Sequence, residues 1–260
     1  MSDLLQKVIE ISREVGQFLK NEQSKIRESE IEYKGRSNDM VSRADKEAEQ
    51  KFVAYLSKLL SQSGFIAEEG TSSKVGMMDN WIIDPLDGTT NYLYGIPCYC
   101  TSVALQRNGE LVLGVIYDPN QDECFAAEKG KGAFLNGERI KVSGQSVLDK
   151  SLIATGFPYD NRGRQRAYMD ILLEVNSQSR GIRRLGSAAL DMAYVAAGRF
   201  EAFYEYGLNP WDVAAGAVIV AEAGGMVSDF KDDQKFIENQ TILCDNGKIH
   251  GEMLEFLKDW

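Results

Sequence analysis

Apolar residues at Leu4, Val8, Ile11, Val15 and Leu19 recur every three or four positions, the period of one helix face. They predict an amphipathic helix of about twenty residues at the start of the chain. The polar stretch from Asn21 to Asp39 follows, ending in Lys34-Gly35-Arg36-Ser37-Asn38-Asp39. Its composition predicts a mobile loop or hairpin. A second helix is expected from about Asp45 to Ser61, with Phe52, Tyr55, Leu56, Leu59 and Leu60 on its inner face and Ser42 as N-cap.

The middle of the chain then changes period. Phe65-Ile66-Ala67 and Trp81-Ile82-Ile83 read as short buried strands. Thr101 to Tyr117 reads as a hairpin turning at Asn108-Gly109, and Asn136-Gly137 marks a second turn within Gly132–Val142. Glu123–Ala127 is another strand. Past Ser151 strands and helices alternate: Leu152–Ala154, then a helix at Gln165–Asn176; Gly181–Leu185, then Ser187–Ala197; Phe203-Tyr204, then Pro210–Ala223; Thr241–Cys244, then Met253–Leu257. Strands first and alternation later predict two sheets covered by helices, in an N-terminal half 1–145 and a C-terminal half 146–260.

Composition narrows the chemistry. A net charge of −10 repels nucleic-acid phosphates, so no nucleic-acid partner is expected. The same charge repels a phosphorylated metabolite unless cations are recruited locally. No apolar run approaches the ~20 residues that cross a bilayer, and Met1-Ser2-Asp3-Leu4 lacks the pattern of a signal peptide. A cytoplasmic protein without membrane association is expected. The four cysteines, Cys98, Cys100, Cys124 and Cys244, form no C-x-x-C pair, so free thiols are expected rather than a zinc site. The single histidine, His250, lies in a loop-like stretch near the C-terminus. Hydrolytic chemistry therefore has to rest on carboxylates, hydroxyls and metal ions.

Trp81-Ile82-Ile83-Asp84-Pro85-Leu86-Asp87-Gly88-Thr89-Thr90-Asn91 is the most informative stretch. The strand is expected to end at Asp84, because Pro85 cannot continue the ladder. Asp84 and Asp87 lie close across a tight turn and repel each other unless cations intervene. Mg²⁺ prefers oxygen ligands, and the Leu86 carbonyl offers one more. Gly88-Thr89-Thr90 looks like a helix start, whose free N–H groups suit a phosphate. A plain turn in which both aspartates cap backbone N–H groups fits the spacing too. Asp212 follows Asn209-Pro210 in a first helical turn, where any acid is favoured by the helix dipole. Glu68-Glu69 follows a short strand, and Asp45 opens a helix; either could be an ordinary surface acid.

These stretches together resemble a known family. Asp84-Pro85-Leu86-Asp87-Gly88-Thr89-Thr90-Asn91 is similar to the first signature of the inositol monophosphatase family, and Trp211-Asp212-Val213-Ala214-Ala215-Gly216 to its second. The likeness extends to Lys34 through Asp45, the Glu-Glu pair, Gly132–Gly137 and Gly186-Ser187-Ala188-Ala189-Leu190, and so covers nearly the whole chain. It implies a layered α-β-α-β-α sandwich of mixed α/β class and Mg²⁺-dependent, lithium-sensitive hydrolysis of a small phosphate monoester by a metal-activated water. It implies that Glu68, Asp84, Asp87, Asp212 and the Leu86 carbonyl bind two or three Mg²⁺ ions. Glu68 and Thr89 would hold the attacking water, with Asp45 paired to the threonine. Gly88 and Thr89 N–H groups, with Asp87 and Asp212 beside them, would grip the substrate. Lys34 would sit on a loop closing over the site, and Ala188 and Glu205 would contact inositol hydroxyls.

The substrate implied first is myo-inositol 1-phosphate. Fructose-1,6-bisphosphatase, histidinol-phosphatase and 3′-phosphoadenosine nucleotidase share the metal signature and stay as alternatives. Glu205 favours a polyol, since a carboxylate accepts hydrogen bonds from adjacent hydroxyls and repels a second phosphate. Two departures from the family pattern stand out: Ser42 for threonine is a mild change, while Asn209-Pro210, where animal enzymes tend to have His-Cys, lies between Glu205 and Asp212 and bears on substrate preference. The resemblance also implies a homodimer. A different kind of role, as a binding partner of the transcription machinery, is known among bacterial relatives; intact ligand positions favour catalysis here.

Overall fold

The computed structural model describes residues 1–25, 31–33, 40–72, 75–157, 163–258 and 260. The expected loop carrying Lys34 lies outside the described residues. Helix α1 is Asp3–Gln23, capped by the Ser2 side chain, which accepts from the Leu5 N–H. Strands β1 (Ile31–Tyr33) and β2 (Met40–Ser42) pair antiparallel, so part of the expected loop is a hairpin-like pair. Helix α2 is Arg43–Leu59. Next come β3 (Gly64–Ala67), β4 (Asp79–Asp87), the short α3 (Thr89–Leu93), β5 (Cys100–Arg107), β6 (Glu110–Asp118), β7 (Glu123–Glu128), β8 (Gly132–Leu135) and β9 (Glu138–Ile140). These seven strands form one sheet in chain order, antiparallel except for β3 beside β4.

After a connector, β10 is Leu152–Thr155, α4 Gln165–Gln178, β11 Gly181–Arg183, α5 Ala188–Ala196, β12 Ala202–Tyr206 and α6 Pro210–Glu222. Then come β13 (Met226–Ser228), α7 (Phe236–Asn239), β14 (Thr241–Asp245) and α8 (His250–Leu257). The second sheet has the order β11-β10-β12-β14-β13, with a parallel part and an antiparallel edge.

Strand side chains alternate between faces, and the alternation builds the layers. Trp81, Ile83, Val103, Leu105 and Val115 point to α1 and α2. Their neighbours Ile82, Ala104 and Ile116 point inward, to α5 and α6. Phe203 and Cys244 meet α5 and α6 from the second sheet, while Ile153, Tyr204 and Leu243 face α4 and α8. The order is α1/α2, first sheet, α5/α6, second sheet, α4/α8: the expected five-layer sandwich. Helices α5 and α6 are apolar nearly all round because both their faces are covered. Among the described residues no helix is long and apolar enough to cross a membrane.

Three differences from the sequence reading have physical causes. Strand β4 does not stop at Asp84. It runs to Asp87, and its pairing with β5 jumps from Asp84↔Ser102 to Asp87↔Cys100. A bulge accommodates Pro85, which lacks the N–H a regular ladder needs. The short β13 and α7 carried too few apolar residues to be read. His250 is not in a loop: it is the first residue of α8 and is buried.

That histidine ties two acids together. With both ring nitrogens protonated, Nδ1 donates to Asp245 Oδ2 at 2.5 Å and Nε2 to Asp232 Oδ1 at 3.0 Å. The hydrogen bond to Asp245, then that to Asp232, raises the imidazole to about 8, against the opposing effect of burial. A raised value means that folding favours the protonated ring. The stabilisation is complete below the ordinary histidine range of about 6.5 and is lost as pH rises through about 8. Screening at the exposed Asp232 limits it to about 1 kcal/mol. The urea unfolding midpoint is therefore expected to fall between about pH 6.5 and about pH 8.5 in the native chain and to fall less in His250→Gln, where only raised carboxyls such as Glu205 keep a slope over that range. Equal pH dependence in both would remove the histidine as its source.

Candidate active site

Four acids from three places in the chain converge between the first sheet and α6. Asp84 and Asp87 stand at the bulged end of β4; Glu68 follows the parallel strand β3; Asp212 lies in the first turn of α6. Burial pushes the Asp84 carboxyl well above the usual range, and the charges of Glu68, Asp87 and Asp212 push it further. Burial, then Asp87 and Glu68, does the same to Asp212, against the Asn209 N–H that donates to it at 2.6 Å. Asp87 rises to about 6, mainly by burial. It is held by Ser187 Oγ and the Ala189 N–H, each donating to Oδ2 at 2.7 Å. Asp87 and Asp212 still keep part of their surface open to the cleft.

Like charges crowded at low dielectric are unstable unless protons or cations relieve them. That is the observation by which the group fits a cation. Among the described residues no three acidic, thiol or imidazole side chains form a ready-made cage around one point. Mg²⁺ does not require such a cage, since it takes one or two carboxylates per ion and fills its octahedron with water and substrate oxygens. The set is all oxygen, and the Leu86 carbonyl lies beside it.

The hydroxyl of Thr89 is within reach of both that carbonyl, at 3.0 Å, and Asp45 Oδ1, at 3.2 Å. Its proton is directed to one of these acceptors, so its lone pairs are free to accept from another donor. Asp45 itself is buried on α2. Gly88 caps α3 with φ 93°, and the Tyr92 N–H donates to its carbonyl. The N–H groups at this helix start stand where the sequence reading expects phosphate donors.

Across the cleft, Glu205 on β12 is 6% exposed, and burial raises it to about 8, opposed by the Arg184 charge. Its position depends on Gly156 after β10: a Cβ there would come within 2.0 Å of Glu205 Oε2. Ala188, 8% exposed, opens α5 beside Asp87.

The sequence reading missed three participants. Glu49 is buried on α2, and its carboxylate accepts from the Glu69 N–H at 2.6 Å and from the N–H and Oγ1 of Thr71, both at 2.7 Å. It fixes the turn that presents Glu68. The signal was present, since Glu49 interrupts the apolar stripe Ala48, Phe52, Leu56. Ser187, within a quoted stretch, caps α5 and also holds Asp87. Gly156 gave no signal. Burial pushes the Cys98 thiol up to about 12 and the Cys100 thiol up as well, so neither is an activated nucleophile.

The chain matches the model of the "Inositol monophosphatase family" over residues 1–259. The inositol-1-monophosphatase of Mesorhizobium japonicum is 41% identical over 258 residues, 99% of this chain and 97% of that protein. The Nus factor SuhB of Pseudomonas aeruginosa is 44% identical over 223 residues, 84% of this chain and 82% of that one. The crystal structure of the extragenic suppressor protein suhB from Bartonella henselae overlays with a TM-score of 0.94 at 39% identity, covering 99% of both chains. Sequence and fold agree along the whole length, and the chain belongs to the inositol monophosphatase family.

Proposed function

We propose that this phosphatase hydrolyses myo-inositol 1-phosphate and similar monoesters of small polyols, with Mg²⁺ held by Glu68, Asp84, Asp87, Asp212 and the Leu86 carbonyl. The observation that carries this reading is the mutual crowding of Asp84, Asp87 and Asp212 with Glu68, near a buried Glu205 whose charge bears on Asp212. The family is Mg²⁺-dependent. When bound, the metal supplies positive charge for the phosphoryl oxygens and lowers the pKa of water.

The residues do the positioning. Gly88 and Thr89 present N–H groups to the phosphate. Thr89, its proton turned to Asp45 or Leu86, accepts from the attacking water, and Glu68 accepts on the other side. Glu49 keeps Glu68 in place. Ala188 leaves room for the alcohol ring. Glu205, raised to about 8, is mostly protonated at neutral pH, so it can donate to one hydroxyl and accept from the next. Lys34, outside the described residues, keeps its proposed part in closing the site. No enzyme-bound phosphoryl group is needed, since His250 is engaged by its two acids and the thiols are neutral.

A parallel panel of myo-inositol 1-phosphate, fructose 1,6-bisphosphate, histidinol phosphate and 3′-phosphoadenosine 5′-phosphate tests the assignment. The expected result is the highest kcat/KM for the inositol ester, with Glu205→Leu losing about tenfold on that ester alone, the order of one hydrogen bond to a strongly polar group, and Glu205→Gln, whose amide can still donate and accept, losing less. Highest kcat/KM for one of the other three would reassign the substrate.

We further infer a cytoplasmic homodimer, from the family resemblance and from four cysteines that all stay unpaired. Sedimentation velocity tests the dimer; a single monomeric species would exclude it. A second role is favoured by one observation, the 44% identity to a protein named Nus factor SuhB. Binding to the transcription machinery is compatible with an intact phosphatase site, and a titration against RNA polymerase with no saturable signal would dismiss it.

A further inference from the structure

We propose that a polar cavity at the junction of the two sheets, remote from the acid cluster, binds a small phosphate-bearing anion. The cavity measures about 560 Å³. It opens where the connector between β9 and β10 passes the end of α5, and Ser143, Gly144 and Ser146 form one wall. Lys150, Arg180 and Arg199 bring three positive charges to it, in a chain whose net charge is −10.

The charges on the wall do not cancel. Arg199 is taken up: both its terminal nitrogens donate to Glu123, and its guanidinium lies over the Tyr194 and Phe125 rings. Glu201 is the one acid lining the cavity, and its Oε2 accepts from the Leu152 N–H at 2.6 Å. Asp149, next to Lys150, does not line it. Among the described residues neither Lys150 nor Arg180 has an ion-pair partner. The Ser143 and Gly144 N–H groups likewise donate to no described residue, while those of Gln145, Ser146 and Val147 are all used within the connector.

Lys150 and Arg180 outweigh Glu201, and this excess of positive charge, two serines and open backbone N–H groups make a donor set without a matching acceptor. A phosphoryl group supplies the missing part, with a double negative charge, three oxygens and a geometry that a guanidinium can grip in two places. The volume exceeds that of phosphate and leaves room for an organic remainder. Free phosphate and a phosphate ester present the same chemistry.

The test uses the full chain with Mg²⁺ and follows backbone amide resonances. Inorganic phosphate is one probe and methylphosphonate, a non-hydrolysable stand-in for an ester, is the other. Saturable shifts are expected at Gly144 and Ser146, separable from those at Gly88 and Thr89 in the catalytic cleft. Chloride at equal ionic strength should not reproduce them. In the double variant Lys150→Gln, Arg180→Gln the dissociation constant read at Gly144 should rise about tenfold or more, as two charge-assisted contacts are lost. The response at Gly88, the melting temperature and kcat should stay as in the native chain, because both side chains are exposed and the cavity lies at the start of the parallel strands β10 and β12, beside Leu152 and Glu201, whereas Gly156 and Glu205 stand at their other end. Tighter methylphosphonate assigns an ester, and tighter inorganic phosphate assigns the free ion. Shifts that rise linearly without saturation, or that survive unchanged in the double variant, would overturn the site.

Discussion

Replacing Asp212 by asparagine is expected to lower turnover by at least about 10²-fold while leaving the fold intact, a loss of about 3 kcal/mol of transition-state stabilisation. The amide keeps the shape and the oxygen that accepts from the Asn209 N–H. What it loses is the charge that the proposed metal needs. In the metal-free protein that charge is a liability, because Asp87 and Glu68 already push the Asp212 carboxyl upward. The metal-free variant should therefore melt at the native temperature or slightly above it, and Mg²⁺ should raise its melting temperature less than that of the native chain. If Asp212 only complemented the helix dipole, the result would be the reverse: near-normal turnover and a stability loss of about 0.3–1 kcal/mol. Turnover and melting with and without Mg²⁺ separate the two, and near-normal turnover removes Asp212 from the ligand set.

Removing the metal should have the larger effect. In excess EDTA, turnover is expected to fall to background and to return when Mg²⁺ is restored. The four acids then have only protons to relieve them, and none of the main influences on Asp84, Asp87 or Asp212 is a cationic side chain. Lithium should inhibit at moderate concentration, as the family resemblance implies. Added Mg²⁺ should also raise the melting temperature by mass action. Full turnover in excess chelator would sink the metal reading outright.

Much of this was legible in the sequence because its signals are local. Apolar periodicity gave α1 and α2, the Asn209-Pro210 start gave α6, and Asn108-Gly109 and Asn136-Gly137 gave turns whose residues sit at positive φ. The Asp84–Asn91 stretch gave two acids, a carbonyl and a helix start within a few residues. The rest depends on packing between distant segments. Nothing around Ser187 says that its hydroxyl reaches Asp87, one hundred positions earlier. Gly156 matters only because β12 places Glu205 beside it. His250 looked like a loop residue because its partners, Asp232 and Asp245, are brought to it by the antiparallel edge of the second sheet.

Helix α6 meets the first sheet with almost no intervening side chain. A Cβ on Gly114 of β6 would stand 2.5 Å from the Ala215 carbonyl oxygen and 3.0 Å from its Cα, and one on Gly216 would meet Met192 at 2.7 Å. Asp212 lies one helical turn from Ala215, so the helix acts as a lever pivoting on that seam. A single methyl group added at Gly114 would have to lift the helix off the sheet, tilting Asp212 away from Asp84 although both acids remain. The spacing of Asp84 and Asp212 is thus set in part by an absence of atoms on a neighbouring strand, at a glycine that touches neither acid.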